Sequence, residues 1–114
     1  MKIMITTIGD INVVRLSGSM DSEASALVHQ ALQPIAKTGG KILIDMEKVE
    51  YASSAHFHML AQLYKSLKQS GGKLATFHVL GEIKEVFSIM GFSQIVPQFD
   101  SEEDAIAAMS MTDL

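Results

Sequence analysis

The feature that most constrains the fold is an unbroken apolar run followed, one helix later, by a second strand-like segment. The segment KILID, residues 41–45, places three aliphatic side chains in succession, a pattern typical of a strand covered on both faces. A long segment with helical periodicity, reaching about Gln69, separates it from KLATFHV, residues 73–79. Because two strands joined by a helix pair in parallel through a right-handed crossover, the sequence predicts a mainly parallel sheet.

The residues before this unit predict an N-terminal hairpin and a first helix. Residues 2–8 and 11–17 are β-prone and flank a Gly-Asp turn pair that permits a hairpin. Asp21 stands where a helix N-cap is expected, and the glycines after Thr38 end that helix. Helical spacing predicts its inward face as Leu27, Val28, Ala31 and Ile35.

Two prolines and a serine mark the remaining boundaries. Pro34 removes one helical hydrogen bond, so we expect it to kink or shorten the last turn of the first helix. A short helix over 82–90 is followed by a brief extended piece that Pro97 confines to a sheet edge. Ser101 with Asp104 resembles a capping box at the start of a last helix. The inward face of the short helix is predicted as Ile83, Val86, Phe87 and Met90.

These segments together predict an α/β fold. We expect a small mixed, mainly parallel four- to five-stranded sheet with about four helices packed on it and an N-terminal β-hairpin, in a single domain over residues 1–114. The carboxyl ends of the parallel strands share one rim with the starts of the helices that follow them. Partners and ligands of open α/β sheets usually bind at that rim.

Composition excludes several classes of function. The 114 residues include no cysteine, so disulfides and thiolate chemistry are absent. A net charge of −4 with both signs interspersed argues against nucleic acid as a partner. No apolar run is long enough to insert into a membrane and the amino terminus lacks a signal-peptide pattern, so we expect a cytoplasmic protein.

Two adjacent serines stand at the junction of the first parallel strand and the following helix, in VEYASSAHFHML, residues 49–60. In one interpretation Ser53 caps the helix and Ser54 is a small residue of its first turn. In the other, Ser54 is a site of attachment, because the first N–H groups of a helix favour an anion such as phosphate. Since both serines lie on the predicted rim, the function depends on which interpretation holds.

The order and spacing of five segments resemble a STAS domain, the family of bacterial anti-sigma factor antagonists and sulfate-transporter tails. The segments are GDINVVRLSGSMD (9–21), KILIDMEKVEYASSAHFHML (41–60), SGGKLATFHV (70–79), FSIMGFSQIVPQF (87–99) and SEEDAIAAM (101–109). They span nearly the whole chain, and their combination is more specific than any one of them.

The resemblance implies a protein-interaction module that is not an enzyme and needs no cofactor. In antagonists of this family, the junction reads Asp-Ser-Ser/Thr-Gly followed by Leu, and a kinase that is itself an anti-sigma factor phosphorylates the second hydroxyl. Ser54 matches that hydroxyl, and Ser53, the second choice, matches the first. The implied partners are a serine-kinase anti-sigma factor and a serine phosphatase, in signal transduction that regulates transcription; a homodimer is left open. The expected partner-binding residues are Asp21, Ser53, Ser54, Ala55, His56 and His78.

The junction departs from the family pattern at three positions. Ala52 replaces the Asp, Ala55 replaces the Gly and His56 replaces the Leu, so we expect His56 to be half-buried. These changes leave a second function open, in which the chain is a STAS scaffold that is not phosphorylated and serves as a subunit of a larger signalling or lipid-transport complex.

The sequence supports neither a metal site nor a hydrolase active site. His56 and His58 would point about 200° apart on a helix, so they cannot chelate one ion and no metal site is expected. His78, at the end of a strand, could face Ser54 and favour a phosphate there, but the favoured interpretation is a satisfied surface histidine. A triad of Ser54 with His78 and Asp45 lacks a nucleophile elbow and an oxyanion loop, so Asp45 is expected to hydrogen-bond loop amides instead.

Overall fold

Five strands form one mixed sheet in the computed structural model, which describes residues 1–110. Strands β1 (Lys2–Ile8) and β2 (Ile11–Met20) form the antiparallel N-terminal hairpin. Strands β3 (Lys41–Ala52), β4 (Lys73–Phe77) and β5 (Gln98–Phe99) then add in parallel, so that spatial order follows chain order. The predicted α/β class, mainly parallel sheet and hairpin are confirmed.

Helices connect the parallel strands and cover both faces of the sheet. They are α1 (Ser22–Lys37), α2 (Ser54–Ser70), α3 (Gly81–Ile89), α4 (Phe92–Ile95) and α5 (Glu102–Met109). Helix α4 is missing from the sequence-based prediction, because four residues are too few to show a helical period. No helix of residues 1–110 is both long enough and apolar enough to span a bilayer.

The apolar core lies in two layers, one on each face of the sheet. Helices α1 to α4 cover one face, where their side chains pack on Ile42 and Ile44 of β3. Helix α5 covers the other face, where Ala105 and Met109 pack beside Leu43. The uninterrupted apolar run of β3 is therefore buried on both sides, as its lack of alternation predicts.

The inward face of α1 differs from the prediction. Val28 is buried and Ile35 is partly buried, but Leu27 is 48% exposed and Ala31 is also exposed. The residues that α1 buries are Ala24, Ser25, Val28, Leu32 and Ala36. Both stripes have helical spacing, and only packing against the sheet distinguishes them.

Pro34 does not shorten α1, which continues to Lys37. The missing N–H of Pro34 would have bonded the Gln30 carbonyl, and both residues are exposed, so water can satisfy that carbonyl. The hydroxyl of Thr38 donates to the carbonyls of Pro34 (3.3 Å) and Ile35 (3.1 Å), which supports the last turn.

The strand ends also differ from the prediction. Strand β3 continues seven residues past Asp45, to Ala52, along the extended carboxyl half of β2. Strand β4 ends at Phe77, because His78 adopts a left-handed φ of 56° that reverses the side-chain alternation. Val79 consequently packs in the core layer opposite to that of Phe77, rather than beside it. In α3, Met90 is 51% exposed instead of buried.

Candidate partner-binding site

The two serines lie where β3 passes into α2, beside the end of β2. Ala52 is the last residue of β3 and pairs with Met20, the last residue of β2. Ser53 occupies the N-cap position of α2, with extended φ and ψ, and Ser54 is the first helical residue. The adjacent carboxyl ends of β2 and β3 thus hold the junction in place on the predicted rim.

The hydroxyl of Ser53 does not cap α2, although the residue occupies the N-cap position. It donates to the carbonyl oxygen of Met20 at 2.9 Å, and the backbone N–H of Ser53 donates to the same oxygen at 3.0 Å. No side-chain hydrogen bond to the helix is formed. The prediction that Ser53 caps the helix is therefore correct in position and wrong in mechanism.

Ser54 is exposed in the first turn of α2, and that turn carries no acidic residue. The first intrahelical bonds are donated by His56 (3.0 Å) and Phe57 (3.4 Å), both to the Ser53 carbonyl. The N–H groups of Ser54 and Ala55 come earlier and have no carbonyl of the helix to bond. Positive partial charge is consequently concentrated beside the Ser54 side chain.

A shallow groove of about 680 Å³ runs from Ser54 to the segment after α3. We call it the Ser54 groove; it is lined by Ser54, Ala55, Phe57, His58, Ala61, Met90, Phe92 and Ile95. Met90 is 51% exposed and Ile95 45% exposed, so two large apolar side chains are accessible in the same groove. An apolar surface of this kind beside a polar rim is typical of a protein-binding site.

A second groove on the other side of Phe57 extends the apolar surface. It measures about 440 Å³ and includes Tyr51 of β3 and Leu80 at the start of α3. Tyr51 is 55% exposed and Leu80 is 61% exposed. Phe57 lines both grooves, so they lie next to each other on the rim; the second groove also contains the carboxylates of Glu50 and Glu82, and Ser54 lines only the first.

Asp21 caps α1 as predicted. Its Oδ1 accepts a hydrogen bond from the N–H of Ala24 at 2.8 Å, and the residue is exposed. Because Asp21 directly follows Met20, it lies on the same rim as the two serines.

His56 is fully buried, so the prediction of a half-buried side chain is wrong. Among residues 1–110, neither Nδ1 nor Nε2 has a hydrogen-bond partner, and burial lowers the pKa of His56 to about 4. A ring without exposed surface cannot touch a docked protein, so His56 does not belong to the partner-binding residues.

His78 faces carboxylates rather than Ser54. Its Nδ1 lies 3.0 Å from Glu47 Oε2 and 3.7 Å from Asp45 Oδ1. Asp45 also accepts a hydrogen bond from the N–H of Glu47 at 3.0 Å and pairs with Arg15 at 3.0 Å. Of the two interpretations of His78, the one in which it faces Ser54 is therefore not supported.

The three residues Asp45, Glu47 and His78 bring possible metal-ligand atoms within 4.8 Å of one another. The guanidinium of Arg15 bridges Asp45 to Glu102 at the start of α5, and the hydrogen bond to Glu102 raises the pKa of Arg15. With a fixed cation already on Asp45, the cluster acts as an ion-pair network that ties the sheet to α5.

Sequence reasoning missed the apolar lining of the two grooves. Met90 fits the inward stripe of α3, and Ile95 and Leu80 lie in segments with no clear period, so local spacing could not predict their exposure. The available signal was the number of large apolar residues in and around α3, because a helix of nine residues can bury only some of them and the others must be exposed.

Comparisons with known proteins agree with the fold. The sequence model of the STAS domain matches residues 2–105. The chain is 29% identical over 109 residues to BtrV of Bordetella bronchiseptica, which is provisionally named an anti-sigma factor antagonist. The aligned region covers 95% of this chain and 94% of BtrV.

Two solved structures show the same fold. A Thermotoga maritima protein, provisionally described as an anti-sigma factor antagonist, superposes with a TM-score of 0.88 at 19% identity, covering 96% of this chain and 95% of that one. The phosphorylated form of the Bacillus cell fate determinant SpoIIAA superposes with a TM-score of 0.77 at 17% identity, covering 94% and 98% of the two chains.

Proposed function

Since the chain belongs to the STAS domain family, we propose that it acts as an anti-sigma factor antagonist that binds a serine-kinase anti-sigma factor and is released when Ser54 is phosphorylated. A serine phosphatase would restore binding. The observation that carries the proposal is the exposed Ser54 side chain, which stands beside two open helical N–H groups at the edge of an apolar groove.

The start of α2 can hold a phosphate without refolding the domain. Phosphorylation adds about −1.5 to −2 charges and three acceptor oxygens. The N–H groups of Ser54 and Ala55 can donate to those oxygens, and the first turn has no carboxylate to repel them. Ser53 favours this outcome because its hydroxyl, bound to Met20, leaves the helix N–H groups free.

The same phosphate would prevent docking of a partner. A protein bound over Met90 and Ile95 removes water from the Ser54 groove, and a doubly charged group beside it would lose its hydration. Unless the partner supplies a cation, the desolvation cost exceeds the gain from apolar contact. Binding is therefore controlled at the contact surface and requires no conformational change.

The phosphorylation step is tested by incubation with a cognate serine-kinase anti-sigma factor and ATP, followed by intact-mass measurement. We expect one phosphate on the chain, its loss in Ser54→Ala and its retention in Ser53→Ala. The second variant is the matched control, because the Ser53 hydroxyl is bound to the Met20 carbonyl. A phosphate that persists in Ser54→Ala would contradict the proposed site.

The docking surface is tested by binding of the unphosphorylated chain to the same kinase. Ile95→Asp places a charge in the Ser54 groove and should weaken binding roughly tenfold or more, as loss of a central interface contact does. Ile8→Asp is the control, because Ile8 is similarly exposed but lies at the end of β1, outside the groove and away from the rim. Equal effects of the two variants would place the partner elsewhere.

A second candidate function rests on Ala52 and Ala55, which replace the Asp and Gly of the family junction. Ala55 adds a methyl group to the lining of the Ser54 groove, where a kinase would need to approach closely. The chain would then be an unphosphorylated STAS scaffold in a larger signalling or lipid-transport complex. Affinity purification from the native cell distinguishes the two, since the scaffold is recovered with a transporter or sensor complex and the antagonist with a kinase.

A further inference from the structure

A second apolar cavity lies at the opposite end of the sheet from Ser54. Its volume is about 510 Å³, and small-molecule sites typically measure about 300–1,000 Å³. Its walls are the last turns of α2, the first half of β4, the segment around Pro97 that leads into β5, and the end of α5. Leu67, Leu74 and Met109 are among its apolar lining residues, and all three are buried.

The cavity exists because β5 is too short to cover the edge of β4. The N–H groups of Thr76 and His78 donate to the carbonyls of Pro97 (3.0 Å) and Phe99 (3.3 Å). Alternate residues of a strand face the same neighbour, so Leu74 also presents its N–H and C=O groups on this side. Strand β5 pairs only with Thr76 and Phe77, and Pro97 has no N–H with which to continue the ladder.

Two lysines give the cavity a positive charge. Lys68 of α2 and Lys73 of β4 belong to its lining, which contains no carboxylate among residues 1–110. Within residues 1–110, neither ammonium group forms a salt bridge. The Nζ of Lys68 lies 5.9 Å from the centroid of the Tyr64 ring, on the same wall. An apolar floor with cations at its side is complementary to an anion that carries a long apolar tail.

We propose that this cavity binds a fatty acid, with its hydrocarbon chain on Leu67, Leu74 and Met109 and its carboxylate between Lys68 and Lys73. As far as the structure describes the chain, the lining offers no polar side chain other than these lysines and the Tyr64 hydroxyl, so a sugar or nucleotide would leave its hydrogen-bonding groups unpaired. An added peptide strand would find only the backbone of Leu74 open along β4, which is too short for strand addition.

The test is a titration of the 114-residue chain with laurate, followed by backbone amide chemical shifts. We expect saturable shifts at Leu74, Phe99 and Ala108, with weaker binding of the uncharged methyl ester. The double variant Lys68→Glu/Lys73→Glu should weaken laurate binding by roughly tenfold or more, equivalent to about 1.4 kcal/mol. The double variant Lys65→Glu/Lys84→Glu is the matched control, since it changes the net charge equally, and both lysines are exposed and do not line the cavity.

A second variant tests the cavity without changing its charge. Ala108→Trp places a large side chain at a partly exposed position of α5 that faces the cavity, and it should abolish laurate binding while the fold is retained. Absence of saturable shifts would overturn the proposal, as would equal binding of laurate and its methyl ester or equal effects of the two charge variants. If laurate bound only to a chain shortened to end at Ser110, the cavity would be a site for residues 111–114 of the protein itself. That result would also overturn the proposal.

Discussion

At the scale of single residues, the side chains of Ser53 and Ser54 have different environments because the Met20 carbonyl group binds only the first. The Met20 carbonyl accepts hydrogen bonds from both the N–H and the hydroxyl of Ser53, which holds that side chain at the strand ends. Ser54 is the next residue along the chain, and its side chain is exposed. Neighbouring residues of the same type therefore have different physical roles, one structural and one available for chemistry.

The matched variants Ser53→Ala and Ser54→Ala should separate these roles in stability. Ser53→Ala removes the hydroxyl bond to Met20 and should lower the free energy of unfolding by about 1 kcal/mol. Ser54→Ala should change it by less than about 0.5 kcal/mol, since the side chain is exposed. Urea unfolding measures both. A larger loss in Ser54→Ala would mean that the hydroxyl has a structural partner.

His56 makes the stability of the protein depend on pH. Burial lowers its pKa in the folded state to about 4, whereas an unfolded histidine has a pKa of about 6.5. Between these values the unfolded state binds more protons, so stability should fall as the pH decreases from about 6.5 to 4, by about 3 kcal/mol in total. Above that window the contribution of His56 is constant.

The variant His56→Leu isolates this effect. It should remove that part of the pH dependence, measured as the difference from the parent protein in urea unfolding at several pH values. At pH 7 the variant should also be more stable, by about 1 kcal/mol or more, because both ring nitrogens of His56 are buried without partners. Parallel pH curves for the two proteins would show that the imidazole gains a partner in solution.

At the scale of elements, the caps and apolar runs of this chain act locally and are predictable from sequence. Asp21 at the start of α1 and Ser101 at the start of α5 each accept a bond from the N–H three residues on, at 2.8 and 3.1 Å. The unbroken run of β3 and the hairpin of β1 and β2 are also as predicted. Each of these signals involves residues within a few positions of one another.

The cap of α1 can be tested by two substitutions at Asp21. Asp21→Ala should lower the free energy of unfolding by about 1 kcal/mol, because the Ala24 N–H loses its partner. Asp21→Asn keeps an acceptor oxygen and should retain most of that stability. Thermal or urea unfolding gives both values, and a similar loss in the two variants would assign the effect to charge rather than to capping.

Other element boundaries depend on the neighbouring strands and could not be predicted. The second half of β3 is extended because it pairs with the carboxyl half of β2, with register shifts at two places. Its residues do not alternate regularly between apolar and polar, so a strand pattern is absent. The end of β4 is set by the left-handed backbone of His78, which spacing cannot reveal.

At the scale of the whole molecule, the turns after α1 and α2 pack against each other at the end of the sheet farthest from Ser54. The N–H of Lys73 donates to the Gly40 carbonyl at 3.2 Å, and the Ser70 hydroxyl donates to the Ala36 carbonyl at 2.6 Å. These contacts join segments more than thirty residues apart and set the spacing of β3 and β4.

The adjacent glycines 71 and 72 should respond differently to substitution. A Cβ at Gly72 would overlap the Gly40 carbonyl and the Leu67 side chain, so Gly72→Ala should cost at least about 2 kcal/mol. A Cβ at Gly71 would meet no atom within 4 Å. Gly71→Ala should therefore lower the free energy of unfolding only through the left-handed φ of 83°, by about 1 kcal/mol. Urea unfolding compares the two, and equal losses would contradict the close approach of the turns.

The sequence by itself determined the class of fold, the main strands and helices, two helix caps and the position of the serine pair at a strand–helix junction. It also carried the family resemblance, which the match over residues 2–105 confirms. All of these are properties of nearby residues or of their order along the chain, and such properties are visible without coordinates.

Only the tertiary structure decided what each side chain at the rim touches. Ser53 binds a carbonyl 33 positions away, the ring of His78 lies beside the carboxylates of β3, His56 is buried, and Met90 and Ile95 are exposed beside Ser54. The physical reason is that periodicity gives the face on which a side chain lies, whereas its partner is supplied by a segment that is distant in sequence.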